Sequence, residues 1–318
     1  MRVLLLALGL ALVIATAVWW FWLRPRVPDA ETVSAAYATP LPPPAEALRV
    51  FHLGHSLVGP DIPFMLQQLA QAAGFEDHAY ASQVGWGTPL RTHWDPEIEI
   101  MGLETVRDQG DWADAREAVG SGAYDAVVLT EMVEIKDAIR YHDSTTYFGR
   151  WADLAREAGP EVRVYLYETW HWVDDPAGWT NRLEGDRAPY WENAILLPDL
   201  ARHPERPAHM IPAGTVMARL MAEIEARGGV DGIPGPEALF GVDDQGRPDK
   251  IHLGDLGKYL VALTHFAVLY QRSPVGLPYR LTRADGSPAD PPTPEAARLM
   301  QEVVWETVTS DPMTGVAQ

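Results

Sequence analysis

The sequence predicts an α/β fold built on a parallel sheet with helices on both faces. Short apolar runs typical of buried strands alternate along the chain with longer segments of helical periodicity, which is the pattern of parallel sheets. The chain has 318 residues, 47% of them hydrophobic, and this is enough for one sizeable core. No internal repeat is visible, so we expect one domain with appendages at its two ends.

The individual elements follow from hydrophobic period and from helix-stop signals. Residues 49–53 form a short apolar run, and residues 61–73 follow as an amphipathic segment that ends at Gly74, a usual helix stop. The best-patterned helix is 256–270, which carries an apolar stripe on one face. The further predicted strands are 78–81, 125–129, 162–167 and 209–211, and the further predicted helices are 111–119, 147–158, 215–227 and 295–309.

The N-terminal segment predicts export. Residues 3–23 carry no charge, follow Arg2 and precede Arg24 and Arg26, and they are long enough to span a bilayer as a helix. A cleaved signal peptide is the alternative, because residues 15–17 form an A-x-A pattern. We favour an uncleaved membrane anchor, since cleavage would leave a very apolar new terminus. Either way we expect the domain on the periplasmic or another extracytoplasmic face.

Four regions follow from these patterns. Residues 1–24 are the predicted transmembrane anchor or signal peptide. Residues 25–47 are a Pro/Ala-rich stretch, which predicts an extended tether. Residues 48–280 hold the alternating strands and helices of the domain. Residues 281–318 are a second Pro-rich stretch and a C-terminal helix, which we expect to pack back onto the domain.

Charge and cysteine content exclude several function classes. The formal net charge is -19, which opposes binding to nucleic acid or to an anionic membrane surface, because both require clustered positive charge. The chain has no cysteine, so a thiolate nucleophile, a disulfide and a Cys-ligated metal are excluded. No HExxH, DxDxDG or histidine-rich motif is present. We therefore expect neither a metal nor another cofactor, and the sequence leaves the oligomeric state open.

Ser56 lies where chemistry is expected in such a fold. The stretch 50–59, reading VFHLGHSLVG, is an apolar run that ends at Gly54 and then presents Ser56 ahead of the helix predicted from residue 61. Ligands of open α/β sheets bind in the crevice at the carboxyl ends of the strands. Taken alone, however, a serine after a strand more often satisfies backbone groups in a turn.

A candidate base and acid lie about 200 residues further along the chain. Asp249 stands three residues before His252, directly ahead of the helix 256–270. A serine nucleophile needs a base to take its proton and an acid that fixes the tautomer of that base. A histidine that merely caps the following helix is the alternative, because D-x-x-H is a common pattern. Together, Ser56 and the D-x-x-H pair favour a nucleophilic site.

Three short blocks resemble the SGNH (GDSL-like) hydrolase superfamily. They are the GHSL sequence at 54–57, the GWGTPL sequence at 85–90 with the His-Trp pair at 93–94, and Asp249-x-x-His252 followed by Gly257. The blocks come in the family's order, and the resemblance spans roughly residues 49–270, most of the chain. The resemblance implies a three-layer α/β/α, flavodoxin-like domain in which Ser56 is the nucleophile, His252 the base and Asp249 its orienting acid.

The resemblance also implies an oxyanion hole with three donors. The first two are the N–H groups of Ser56 and of a glycine of the second block, here Gly87 or alternatively Gly85. The family's third donor is an asparagine, where this chain has Thr130 and Glu131 after the strand 125–129. The hydroxyl of Thr130 is the candidate replacement, whereas an ionised Glu131 aimed at the site would oppose an oxyanion.

Aromatic residues are concentrated in residues 168–197, which we interpret as a long connection after the fourth strand. Long connections of this kind are often lids or binding loops. If their rings are exposed they can bind flat apolar faces such as those of sugars, and a packed loop with a satellite core is the alternative. The candidate substrate-binding residues are Trp170, Trp172, Trp179 and Trp191.

These features predict an exported serine esterase of SGNH type that hydrolyses an ester through an acyl-enzyme at Ser56. An acetyl ester on a carbohydrate is the preferred substrate, given the aromatic residues of 168–197. A catalytically silent SGNH-fold module that binds glycan or peptide is the alternative from another class, because the third-block asparagine is missing. A lipase or thioesterase is a further alternative.

Overall fold

The computed structural model describes residues 27–107, 111–243 and 245–317. The predicted anchor or signal peptide at residues 1–24 lies outside these ranges. Within them, no helix combines the length and the apolar character that crossing a bilayer requires.

Five parallel strands form the central sheet. Their bounds are β1 Arg49–His55, β2 Ala79–Gly85, β3 Ala126–Leu129, β4 Arg163–Glu168 and β5 His209–Pro212. The strand order is β2-β1-β3-β4-β5. This is the flavodoxin-like order, with its topological switch point between β1 and β3, and it confirms the α/β, flavodoxin-like part of the predicted fold class. A short antiparallel hairpin of β6, Phe240–Val242, and β7, Pro248–Leu253, lies outside the central sheet.

Helices connect the strands and cover both faces of the sheet. The predicted helix positions agree with the structure within a few residues, and several short helices were not predicted. The helices are α1 Ala30–Ala36, α2 Asp61–Ala72, α3 Leu90–Trp94, α4 Leu103–Arg107, α5 Ala115–Gly120, α6 Ile135–His142, α7 Ser144–Ala158, α8 Trp179–Asp186, a π-helical segment Arg187–Leu196, α9 Leu197–Arg202, α10 Ala213–Ala226, α11 Asp255–Tyr270 and α12 Pro294–Ser310.

The core has two halves, one on each face of the sheet. Successive strand residues point to opposite faces, so that Val128 belongs to one half while Val127 and Leu129 belong to the other. The first half packs against α2, α8, α10, α11 and α12, and the second packs against α5, α7 and the helical region 187–202. The architecture is therefore a three-layer α/β/α arrangement.

The described part of the predicted tether, residues 27–47, is packed on the domain. It contains α1, and the side chain of Tyr37 is buried with its hydroxyl donating to the carbonyl of Ala208 at 2.8 Å. The N–H of Leu41 donates to the carbonyl of Gly315 at 2.8 Å. The segment packs because Val33 and Tyr37 share an apolar face, a helical pattern that the prolines of the stretch obscured.

The segment 168–197 was predicted as a long connection, and the structure shows a helix over most of it. Trp179 and Leu183 lie four residues apart, as do Trp191 and Ile195, and all four side chains are buried. Apolar residues at this spacing line one face of a helix. The prediction of a long connection is wrong, because the aromatic residues of this segment follow a helical period and face the core.

Candidate active site

The structure brings Ser56, His252 and Asp249 into one hydrogen-bonded chain. The Nε2 atom of His252 lies 3.0 Å from the Oγ atom of Ser56, and its Nδ1 atom lies 3.0 Å from an Oδ2 atom of Asp249. Ser56 follows β1 directly, whereas the other two residues are on β7, 196 positions away along the chain from serine to histidine. These are the contacts that a nucleophile, a base and an orienting acid require.

Asp249 is held in its ionised form. Partial burial opposes ionisation, but hydrogen bonds from the N–H groups of His252 and Ile251, both at 2.8 Å, outweigh it and lower the pKa of the carboxyl. An ionised carboxylate only accepts hydrogen bonds, so Nδ1 of His252 carries the proton. The Nε2 atom is then free to accept the proton of the Ser56 hydroxyl.

The strand that carries Asp249 and His252 is held by the loop after β4. The indole N–H of Trp170 donates to the carbonyl of Ile251 at 2.7 Å, and the N–H of Val173 donates to the carbonyl of Lys250 at 2.8 Å. Together with its pairing to β6, these two bonds place β7 over the carboxyl edge of the central sheet. We call residues 240–253 the base arm.

Three of the four predicted substrate-binding tryptophans are buried, which corrects that prediction. Trp170, Trp179 and Trp191 are 1%, 5% and 2% exposed, because they pack in the two halves of the core. Only Trp172, 46% exposed, can offer its ring to a ligand. The prediction missed Trp86, which is 54% exposed in the turn after β2. Its place inside the second block was the available signal.

The turn at Ser56 is fixed by close approach of β1 and β3. A Cβ atom on Gly54 would lie 2.3 Å from Cγ2 of Thr130, so only glycine allows the two strands to end at this spacing. The Nε2–H of His55 donates to the carbonyl of Glu131 at 2.8 Å. Burial lowers the pKa of His55 to about 4, so this packed histidine is neutral.

Two backbone N–H groups are available for an oxyanion. Gly85 lies opposite His55 in the strand register, which places the turn that follows β2 beside Ser56. In this turn the N–H of Trp86 donates to the carbonyl of Met101, and Gly87 has a left-handed φ of 55°. Within the described ranges, neither the N–H of Ser56 nor that of Gly87 donates to another residue.

The third-block residues are both directed elsewhere. The Thr130 hydroxyl is buried and donates to the carbonyl of Tyr167 at 2.7 Å, so the structure does not offer it as the third oxyanion donor. The Oε1 atom of Glu131 accepts from the N–H groups of Leu90 at 3.1 Å and Met132 at 2.9 Å. Glu131 therefore does not oppose an oxyanion in the way that the sequence suggested. Desolvation raises the pKa of its carboxyl to about 7.

A small apolar pocket opens beside Ser56 and His252. Its volume is about 260 Å³, below the usual range of roughly 300–1,000 Å³ for sites that bury drug-sized ligands. At its margin Lys258 forms an ion pair with Asp61 at 2.7 Å. The pocket suits a short substrate group. Its apolar lining consists of Leu57, Val58, Ile62, Trp170, Val242 and Leu253.

An acidic cluster on the same side of the sheet is an ion-pair network. Glu134, His171 and Asp186 bring their side-chain ligand atoms together, which is the arrangement that a metal ion would need. The guanidinium of Arg182 lies among them, at 2.6 Å from Glu134 and 2.7 Å from Asp186. Its positive charge occupies the place where a cation would bind.

No protein-family model matches the sequence, and no curated protein matches it. Among solved structures, the chain is similar to a protein described as a GDSL-like lipase from Parabacteroides merdae, with 11% identity, 69% of this chain and 94% of that chain covered, and a TM-score of 0.41. It is also similar to phospholipase A1 from Streptomyces albidoflavus. The identity is 12%, 65% of this chain and 92% of that chain are covered, and the TM-score is 0.35.

A third similar structure is a carbohydrate esterase family 2 enzyme with a carbohydrate-binding domain from Corynascus thermopiles (Myceliophthora fergusii). The identity is 12%, 54% of this chain and 57% of that chain are covered, and the TM-score is 0.32. These neighbours are ester hydrolases at low sequence identity. What the site of this chain can do chemically follows from its own contacts.

Proposed function

We propose that the chain is a serine esterase that forms an acyl-enzyme at Ser56. The observation that carries the proposal is the hydrogen-bonded chain from Ser56 through His252 to Asp249, with both links at 3.0 Å. It lies beside the β1/β3 switch point, where open α/β sheets bind their ligands. The chain has no cysteine, so the nucleophile is a hydroxyl and not a thiolate. The net charge of -19 favours a neutral or cationic ester as the substrate.

The contacts support a two-step hydrolysis. The Oγ atom of Ser56 attacks the ester carbonyl carbon while Nε2 of His252 takes its proton, and Asp249 stabilises the imidazolium. The N–H groups of Ser56 and Gly87 stabilise the developing oxyanion. The tetrahedral intermediate collapses as His252 returns the proton to the leaving alcohol, and water then attacks the acyl-enzyme by the same route.

We propose a short acyl group, acetate being the preferred choice, because the pocket beside Ser56 is only about 260 Å³. A carbohydrate alcohol is the finer proposal. The exposed rings of Trp86 and Trp172 support it, since aromatic faces bind the apolar faces of sugar rings. The proposed extracytoplasmic location rests on the sequence pattern of residues 1–24. A lipase or thioesterase would need room for a long acyl chain.

Turnover of chromogenic esters by the full chain tests the proposal. We expect hydrolysis of the acetyl ester, slower hydrolysis of the octanoyl ester, and a fall in kcat of roughly 10⁴-fold or more for Ser56→Ala. Ser121→Ala is the matched control, because Ser121 follows α5 at the opposite edge of the sheet, where its hydroxyl bonds to the backbone of Ala118 and Ala123. Equal turnover by wild type and Ser56→Ala would contradict the proposal.

A catalytically silent binding module is the second candidate. It is favoured by one observation, namely that the Thr130 hydroxyl donates to Tyr167 and leaves the oxyanion hole with two backbone donors. A fluorophosphonate probe separates the candidates, because it reacts only with an activated serine. The silent module leaves Ser56 unlabelled while it still binds glycan in a calorimetric titration.

A further inference from the structure

Glu131 contacts both turns that supply the oxyanion donors. It is completely buried at the end of β3. Its backbone carbonyl accepts from Nε2 of His55 at 2.8 Å, and its Oε1 atom accepts from the N–H of Leu90 at 3.1 Å. His55 precedes Ser56 by one residue, and Leu90 follows Gly87 by three. One residue is therefore bonded to the strand end that precedes Ser56, through its backbone carbonyl, and to the first residue of α3 after the Gly87 turn, through its side chain.

We propose that Glu131 is a positioning residue for the oxyanion hole and holds the Ser56 and Gly87 turns at a fixed separation. The inference rests on the proposed function, because it concerns the same site. It gives the third-block position a role in catalysis although no asparagine stands there. Glu131 acts through the two backbone donors and touches no substrate.

The energetics of burial favour a positioning role over a stabilising one. Desolvation raises the pKa of the carboxyl to about 7, because burial disfavours its charged form. Its Oε2 atom is buried and accepts no hydrogen bond of normal geometry within the described ranges, although the Ser144 hydroxyl lies near enough to favour the charged form. An apolar residue at a buried polar position is often neutral or stabilising. A carboxyl at this position is explained by the N–H groups that it fixes.

The chain provides a matched comparison in Glu168. This glutamate is also buried at the end of a strand, β4, and burial raises the pKa of its carboxyl to about 7 as well. Its oxygens accept from the N–H and the hydroxyl of Thr215. Within the described ranges it has no hydrogen bond to the Ser56 turn or the Gly87 turn, so it controls for the loss of a buried carboxyl.

Steady-state kinetics and thermal unfolding of full-chain variants test the inference. We expect Glu131→Ala to keep the bond from His55 to the backbone carbonyl, to lose the bond from Leu90, and so to lower kcat about 100-fold with KM nearly unchanged, because a misplaced Gly87 donor costs transition-state stabilisation. Glu131→Asp, which is one methylene too short to reach Leu90, should lower kcat roughly tenfold. Glu131→Gln keeps an Oε1 acceptor and should restore most of kcat, with its amide facing the Ser144 hydroxyl. Glu168→Ala should lower Tm and leave kcat of the folded protein unchanged.

Three outcomes would overturn the inference. The first is an Asp variant, or a folded Ala variant, that retains wild-type kcat. The second is a Gln variant as slow as Glu131→Ala, or a Glu168→Ala variant with the same loss of kcat. The third is a wild-type chain with no turnover and no labelling of Ser56, which refutes the proposed function and this inference together. In the first two cases the wild type is still an esterase, so the two failures are distinguishable.

Discussion

The two sides of the candidate site are built in different ways. The nucleophile side consists of strand ends and buried braces, with His55 bonded to Glu131 and the Nε2 atom of His93 2.7 Å from the carbonyl of Gly54. The base arm lies outside the central sheet, and the side chain of His252 is 51% exposed. The core therefore sets the position of Ser56, while a few contacts at its edge set the position of His252.

This difference predicts that the two sides fail differently when they are mutated. A change on the base arm should remove activity and leave stability nearly intact. A change among the braces of the nucleophile side should reduce both. The predictions below test this contrast, beginning with the largest effect.

Removal of the imidazole should have the largest effect. We expect His252→Ala to lower kcat by about 10⁶-fold, because the nucleophile loses its base. The free energy of unfolding should change by no more than about 0.5 kcal/mol, since half of the side chain is exposed. Kinetics with a chromogenic acetyl ester and urea unfolding measure the two quantities. A large loss of stability would contradict the contrast between the two sides.

Neutralising the acid should have the next largest effect. Asp249→Asn can present its amide N–H to Nδ1 of His252 and so favour the wrong tautomer, and we expect kcat to fall about 10⁴-fold. The measurement is kcat against the wild type. Asp243→Asn is the matched control, because Asp243 also accepts hydrogen bonds within the base arm but contacts Arg247 rather than His252. Full activity of Asp249→Asn would contradict the assigned role.

Acid pH should destabilise the protein through its buried histidines. Burial lowers the pKa of His55, His93 and others below the ordinary value of 6.5, so the unfolded chain binds protons first as the pH falls. The contribution of these histidines to the free energy of unfolding should be fully present above about pH 6.5. It should be lost toward pH 4, at up to about 1.4 kcal/mol per pH unit for each histidine. The other members of this buried group are His52, His78, His209 and His265.

Two buried carboxyl groups act in the opposite direction. The pKa values of Glu131 and Glu168 are raised to about 7, so the folded chain binds their protons first and the fold gains stability as the pH falls from 7 to 4.5. Six histidines against two glutamates leave a net loss of several kcal/mol between pH 7 and pH 5. Urea unfolding at the two pH values measures it. Equal stability at both would contradict the burial of these imidazoles.

The smallest effect should come from loosening the base arm. Trp170→Phe removes the indole donor to Ile251 while keeping an aromatic ring, and we expect kcat to fall roughly tenfold. Trp179→Phe is the matched control, because its buried indole N–H donates to His171 outside the base arm. Both variants should lose about 1–3 kcal/mol of stability in urea unfolding. Similar kcat values for both would show that Trp170 does not position the arm.

The strands and most helices could be predicted from the sequence because their patterns are local. The residues 125–129 and 256–270 carry their periods within one window, and the structure has β3 and α11 at these positions. The pairing of Ser56 with His252 is not local, and it was predicted from the chemistry that a serine nucleophile needs together with the resemblance to a family. The sequence contains the residues of the base arm but no signal for the bonds from Trp170 and Val173 that hold it.

The directions of side chains at strand ends could not be predicted. Thr130 and Glu131 stand beside the switch point, and their residue types allow them to face the oxyanion or the core. The structure directs both away from Ser56, because the carbonyl of Tyr167 and the N–H of Leu90 are the partners within reach. Likewise, Trp170 and Trp172 are the same residue type two positions apart, yet the side chain of Trp170 is buried and that of Trp172 is exposed.

The central claim is that His252 activates Ser56 as a nucleophile. Reaction of the full chain with a fluorophosphonate, followed by peptide mapping in a mass spectrometer, tests this claim directly. We expect one phosphonyl group per chain on the peptide that contains Ser56, and none on the same peptide of His252→Ala. Labelling of another serine, or equal labelling of Ser56 in the wild type and in His252→Ala, would contradict the claim.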